Sequence, residues 1–169
     1  KIFLSSNLII FLFTKIILKM EIRHAKPEEI KRISEIESIC FPAAEAASFE
    51  DFQSRFNSFP ENFFVAIDKD SNTIVGFING ANNNIPYLPD EMYHDPTLHQ
   101  KDGLYLTVFG IDVIPTYQKR GIGTKLMERY IQWGKETHKK GIILTCKDRL
   151  IHWYEKFGYK KIGTSKSSH

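Results

Sequence analysis

The sequence predicts a single α/β domain, and three observations carry that expectation. The length of 169 residues is that of one domain with enough chain to bury a core. The balance of 42% hydrophobic and 25% charged residues is that of an ordinary globular protein. From residue 20 onwards, short β-type apolar runs interleave with helix-type periodicities, and no repeat or low-complexity linker divides the chain.

Residues 20–26 alternate as a short strand does. Pro27 suits the first turn of a helix, and Ile30, Ile33 and Ile36 recur at helical spacing until Cys40-Phe41-Pro42 ends the element. After a connector over residues 43–47, Ser48 with Asp51 forms a capping-box pattern. Phe49, Phe52 and Phe56 then supply the buried stripe of a second helix, closed by Pro60. Residues 63–67 and 73–78 are apolar runs on either side of a polar turn, a hairpin signature. Residues 82–103 carry Pro86, Pro89 and Pro96 and hold no sustained period, and a loop this long is often functional. Residues 104–113 read as a central strand in which Gly110 marks a bulge. A strong amphipathic helix follows Gly121, with Ile122, Leu126, Met127, Tyr130 and Ile131 on its apolar face. It ends at His138-Lys139-Lys140 before Gly141, cations and a glycine where a helix C-terminus favours them. Residues 141–146 then read as a strand, 150–157 as a short helix and 159–162 as a last strand.

The formal net charge is +3, but three lysines and no acid fall in residues 1–19, which leaves 20 basic against 20 acidic residues beyond them. A neutral domain is a poor footprint for nucleic acid. Cys40 and Cys146 have no pairing or metal spacing, which points to reduced thiols in the cytoplasm. Residues 1–19 are interrupted by Ser5, Ser6, Asn7 and Lys15, whereas a membrane helix needs about 20 mostly apolar residues. They also lack a small-residue cleavage site. Met20 opens a natural domain start. The expectation is an upstream leader over 1–19 and a domain over 20–169, with no membrane partner.

The most informative residues are Gln118-Lys119-Arg120-Gly121-Ile122-Gly123-Thr124, between a strand and a helix. Glycines let the backbone turn tightly and approach a ligand, and the helix start offers free amides and the positive end of its dipole. Such a loop suits an anion the size of a pyrophosphate. It is not a dinucleotide fingerprint, because Leu126 stands where a third glycine is needed, and no P-loop is present.

Q-x-x-G-x-G between a strand and an amphipathic helix resembles the coenzyme A signature of GNAT acetyltransferases. Leu144 to Tyr159 is similar to that family's closing helix and strand. Phe41-Pro42-Ala-Ala-Glu45-Ala-Ala-Ser48 looks like the bacterial relatives of arylalkylamine N-acetyltransferases. The resemblance covers roughly residues 20–164. It implies a GNAT fold, α/β (α+β), with a single mixed, mostly antiparallel sheet flanked by helices. It also implies transfer of an acetyl group from acetyl-CoA to a small amine by direct attack, and is compatible with a homodimer. An N-terminal acetyltransferase for proteins or peptides, or a non-catalytic acyl-CoA sensor, are the alternatives.

The same resemblance assigns roles. Backbone groups of Ile111, Asp112 and Val113 would lie along the pantetheine arm, and Gln118, Lys119, Arg120, Gly121, Ile122, Gly123 and Thr124 would hold the pyrophosphate. Tyr154 takes the position of the general acid that protonates the coenzyme sulfur. The vertebrate arylalkylamine enzymes carry two histidines where this chain has Thr107 and Phe109, so the base must differ. Glu45 is the expected replacement, with Asp112 a lesser candidate. His94 and His99, in the long loop, are weaker candidates for the substrate mouth. Metal chemistry is not expected, since no ligand cluster is visible.

Overall fold

The computed structural model describes residues 19–165, so all of the expected leader except Lys19 lies outside the described residues. Strand β1 (Met20–His24) is followed by a 3-10 turn at Pro27–Glu29 and helix α1 (Ile30–Cys40). Helix α2 (Phe49–Ser58) begins at a reciprocal capping box, in which Asp51 N–H donates to Ser48 Oγ and Ser48 N–H donates to Asp51 Oδ2. Strands β2 (Phe64–Asp68) and β3 (Thr73–Asn79) form the expected hairpin. The long loop is more ordered than its composition suggests: it contains β4 (Asn82–Asn83), a single helical turn α3 (Glu91–His94) and a 3-10 turn at Pro96–Leu98. The remaining elements are β5 (Tyr105–Val108), β6 (Gly110–Val113), α4 (Ile122–Glu136), β7 (Gly141–Leu144) and α5 (Ile151–Glu155).

The strands form the expected mixed, mostly antiparallel arrangement flanked by helices, with their ladders divided into two sheets where one was expected. An antiparallel sheet has the order β1-β2-β3-β6, and a second sheet has the order β4-β5-β7, with β5 and β7 parallel. Residues 104–113 do form one extended run, but it changes sheet at Phe109: β5 belongs to the second sheet and β6 to the first. The expected last strand over 159–162 is absent. Those residues meet no ladder partner among the described residues, and Ile162 is 81% exposed. A strand needs a neighbour for its backbone groups, and hydrophobic pattern alone cannot supply one.

Apolar cores cover both faces. On one, Ile30, Ile33 and Ile36 of α1 meet Phe52 and Phe56 of α2, Phe59, Phe63 and Phe77. On the other, Ile122, Leu126, Met127 and Tyr130 of α4 pack on Phe64, Ile78, Leu106 and Val108. Phe49, expected in the stripe of α2, is 41% exposed instead. Within α2, Phe52 and Phe56 are one turn apart and share the buried face, while Phe49 lies at the very first helical position.

Polar side chains pin α4 as well: Tyr130 Oη donates to Thr107 O at 2.9 Å and Trp133 Nε1 to Asn62 Oδ1 at 2.9 Å. The close approach of the two sheets requires a glycine at 80, where a Cβ would fall 1.8 Å from the Thr107 carbonyl oxygen. Gly80→Ala must push the strands apart, and the expected loss is about 3 kcal/mol of stability by chemical denaturation.

Candidate active site

The division of the sheet creates an opening. Strands β5 and β7 run together from Tyr105 opposite Gly141 to Val108 opposite Leu144. Beyond that pair the two chains separate, because β6 turns to pair with β3 while residues 145–147 leave the sheet. Strand β6 is the last in its sheet, so one row of its backbone N–H and C=O groups has no ladder partner. Ile111, Asp112 and Val113 thus present an open edge to the gap, the geometry by which an extended ligand adds as a further strand.

One end of that edge is the glycine loop. Gln118 Nε2 donates to Val113 O at 2.8 Å, tying the loop to the strand. Lys119 and Gly121 both adopt left-handed backbone, with φ of 61° and 79°. The value at Gly121 is one that glycine adopts without cost. Gly121 is the N-cap of α4 and contributes no side-chain cap, so the amides of Ile122, Gly123 and Thr124 face outward without an intrahelical partner. A Cβ at Gly123 would touch only the Trp153 ring at 3.6 Å. The Arg120 guanidinium stacks over Tyr117 at 5.0 Å, exposed beside these amides. These groups fit a pyrophosphate: free amides, a helix dipole and cations, with no side chain in the way.

The other end gathers titratable groups. Tyr154, on α5, is 8% exposed and packs against Trp153 and Tyr159 with ring centroids 4.9 and 5.7 Å away. Its hydroxyl has no hydrogen-bond partner among the described residues. Burial, and then Cys146, Asp112 and Tyr93, push its phenol well above the ordinary range, so the proton-bearing form persists through neutral pH. Those influences place Tyr154 within electrostatic reach of all three groups. Burial raises the Cys146 thiol also, and burial first, then Asp148, is the cause. A half-buried thiol that keeps its proton is a poor nucleophile. Tyr93, from α3, hydrogen-bonds Thr145 across the gap, and burial pushes its phenol up to about 12.

Glu45 lies at the rim, with its side chain 46% exposed and its Oε2 3.3 Å from Lys147 Nζ. It shares with Tyr154, Thr145 and Cys146 the lining of a cavity of about 1340 Å³ that opens along the outer side of β7. The glycine loop lies outside that cavity. His99 serves the loop itself: its Nδ1 accepts from the Asn82 amide at 3.1 Å and its ring lies 4.9 Å from that of Phe59. His94 is exposed on α3.

Asp112 is not only a backbone contributor. It is 3% exposed, and its side chain leaves the sheet toward α1, within hydrogen-bond reach of Glu37. Burial, and then the Glu37 carboxyl, raise Asp112 far above the usual carboxylate range. Glu37 itself is 9% exposed, and its Oε1 accepts from the Ala47 amide at 3.1 Å, which anchors the loop carrying Glu45. Sequence reasoning missed Glu37, although a signal was present. It sits four residues after Ile33 and seven after Ile30, an acid on the face of α1 that is otherwise buried.

Among the described residues no group of histidine, cysteine or acid side chains could hold a metal, and no helix is long and apolar enough to cross a membrane.

The acetyltransferase (GNAT) family model matches residues 30–159. Serotonin N-acetyltransferase of Mesocricetus auratus is 32% identical over 68 residues, 40% of this chain and 33% of that protein. The probable hydrolase YhcX of Bacillus subtilis is 29% identical over 145 residues, 80% of this chain and 28% of that protein. The chain thus spans a third or less of the length of these relatives. Among solved structures, the loading GNATL domain of CurA from Lyngbya majuscula superposes with a TM-score of 0.68 at 20% identity, covering 84% of this chain and 75% of that one. A GNAT family acetyltransferase from Brucella melitensis, solved in complex with acetyl-CoA, superposes with a TM-score of 0.59 at 17% identity, covering 84% and 83%.

Proposed function

Because the chain belongs to the acetyltransferase (GNAT) family, we propose that it transfers the acetyl group of acetyl-CoA to the primary amine of a small, arylalkylamine-like molecule in the cytoplasm. The observation that carries this reading is the open edge of β6, with the glycine loop at one end and the unpartnered Tyr154 hydroxyl near the other. The backbone of Ile111, Asp112 and Val113 receives the pantetheine arm, and the loop from Gln118 to Thr124 receives the pyrophosphate. Acetyl-CoA, when bound there, supplies an activated thioester.

Tyr154 holds a proton on its phenol oxygen and donates it to the departing sulfur. Burial makes its phenol a weaker acid than a free tyrosine, but keeps the donor form fully populated. Glu45 meets the incoming ammonium at the rim. Its exposure at the rim leaves it accessible to an incoming cation. A small acceptor is supported by residues 84–103, which pack Leu88, Met92 and Tyr93 into the core and set Tyr93 4.9 Å from Phe109. The resemblance to serotonin N-acetyltransferase over 68 residues points the same way.

The experiment is free-thiol release from acetyl-CoA across tryptamine, tyramine, phenethylamine, polyamines, amino sugars and short peptides. Turnover with the arylalkylamines is the expected result. Turnover with peptides alone makes the chain an N-terminal acetyltransferase. Coenzyme binding with silence throughout makes it a sensor.

A further inference from the structure

On that acetyl-transfer reading, we propose that Glu37 and Asp112, with the Asn79 amide beside them, are the proton-accepting end of the site and take the proton that the substrate ammonium loses.

The geometry begins with Gly110. It faces Asn79 across the β3–β6 ladder, so the Asn79 side chain leaves the sheet on the face toward which a Cβ at 110 would point. That Cβ would lie 3.8 Å from Glu37 Oε2 and 3.9 Å from the Phe77 ring, so the glycine leaves room directly beneath the Glu37 carboxyl. Around this space, polar atoms are buried without partners: both amide atoms of Asn79, which is 0% exposed, and Asp112 Oδ2. Leaving such groups unpaired costs roughly 1–3 kcal/mol each. An amide oxygen and carboxylate oxygens together suit an N–H donor, which an ammonium supplies.

The location relative to Tyr154 is the second part. Tyr154 belongs to the core on the α4 face, whereas Asp112 and Glu37 lie on the α1 face, with Asp112 within electrostatic reach of the Tyr154 phenol. Proton donation to sulfur and proton acceptance from nitrogen therefore fall on opposite sides of the gap. Two carboxyls within hydrogen-bond reach must hold a proton between them, because both cannot be ionised cheaply at that distance. Burial and Glu37 keep a proton on Asp112 far above its ordinary range, so the ionised member of the pair is the one that accepts. Cys40 of α1 faces the pair, with its thiol pushed up to about 12 by burial and then by Asp112 and Glu37. Arg55 of α2 faces it as a buried cation, held over Phe109 at 5.2 Å. Tyr154 faces it from α5.

The protons balance. The ammonium gives one proton to the carboxyl pair, and the freed nitrogen forms the new C–N bond as the C–S bond breaks. Tyr154 gives its proton to the sulfur and regains one from the nitrogen. The pair releases its extra proton to solvent, so each turnover yields one amide, one thiol and one proton.

The test is the pH dependence of kcat/KM for the best amine of the panel in Asp112→Asn and Glu37→Gln, with acetyl-CoA affinity measured alongside. The wild-type rate should fall on the acid side, where the pair is fully protonated. Each variant should shift that acid limb, because only one carboxyl is left to titrate, and lose about 10²–10⁴-fold in kcat/KM, at unchanged coenzyme affinity. A second readout needs no substrate. The folded chain holds a proton on Asp112 that the unfolded chain releases above about pH 4. The Asp112 contribution to stability is thus fully present at or below that pH and is lost as pH rises toward the folded-state value, so the difference between wild type and Asp112→Asn varies with pH over that range. Variants that keep the wild-type pH–rate profile overturn the proposal while acetyl transfer stands. A wild-type chain that binds acetyl-CoA and acetylates nothing overturns both.

Discussion

Replacing Gly123 by glutamate is expected to weaken acetyl-CoA binding by about 100-fold or more, because like charges forced together cost several kcal/mol. The new carboxylate would stand among the free amides of Ile122, Gly123 and Thr124, where the pyrophosphate belongs. The free protein should tolerate the change. A Cβ at 123 meets the Trp153 ring at an ordinary 3.6 Å, and an acid in the first turn of a helix is favoured by its dipole. Gly123→Ala separates bulk from charge and should keep most of the affinity. Calorimetric titration of both variants with acetyl-CoA checks this, and an unchanged affinity in the glutamate variant would remove the loop from the coenzyme site.

Tyr154→Phe should lower kcat by about 10²–10⁴-fold, the usual worth of a positioned acid, with little change in acetyl-CoA affinity. The hydroxyl makes no hydrogen bond among the described residues, so its loss breaks nothing in the fold. The ring keeps its contacts with Trp153 and Tyr159. Steady-state thiol release and coenzyme titration on the same preparation separate the two effects. A parallel loss of affinity would make Tyr154 a binding residue instead.

The two substitutions draw on different kinds of information. Gly123 was legible from the chain, since Q-x-x-G-x-G between a strand and an amphipathic helix needs only local geometry to describe it. The helix start, the left-handed Gly121 and the tie from Gln118 to Val113 follow from residues within ten positions of one another. Tyr154 was legible only through resemblance. That its phenol is buried, unpartnered and within reach of Asp112 depends on elements from four parts of the chain.

By itself, then, the sequence determined the order of most elements, the capping box at Ser48, the apolar faces of α1 and α4 and the anion loop. Each rests on periodicity or on backbone preferences that act over a few residues. Tertiary structure decided the rest. The run over 104–113 reads as one strand, yet its two halves find partners in different sheets and the chain divides at Phe109. Residues 159–162 have a strand's composition and no neighbour to pair with. Glu37 and Asp112 are 75 positions apart by their numbers, and ordinary acids in isolation. Their shared burial raises the Asp112 carboxyl, because the cost of ionisation is set by what surrounds a carboxyl and not by its neighbours in sequence.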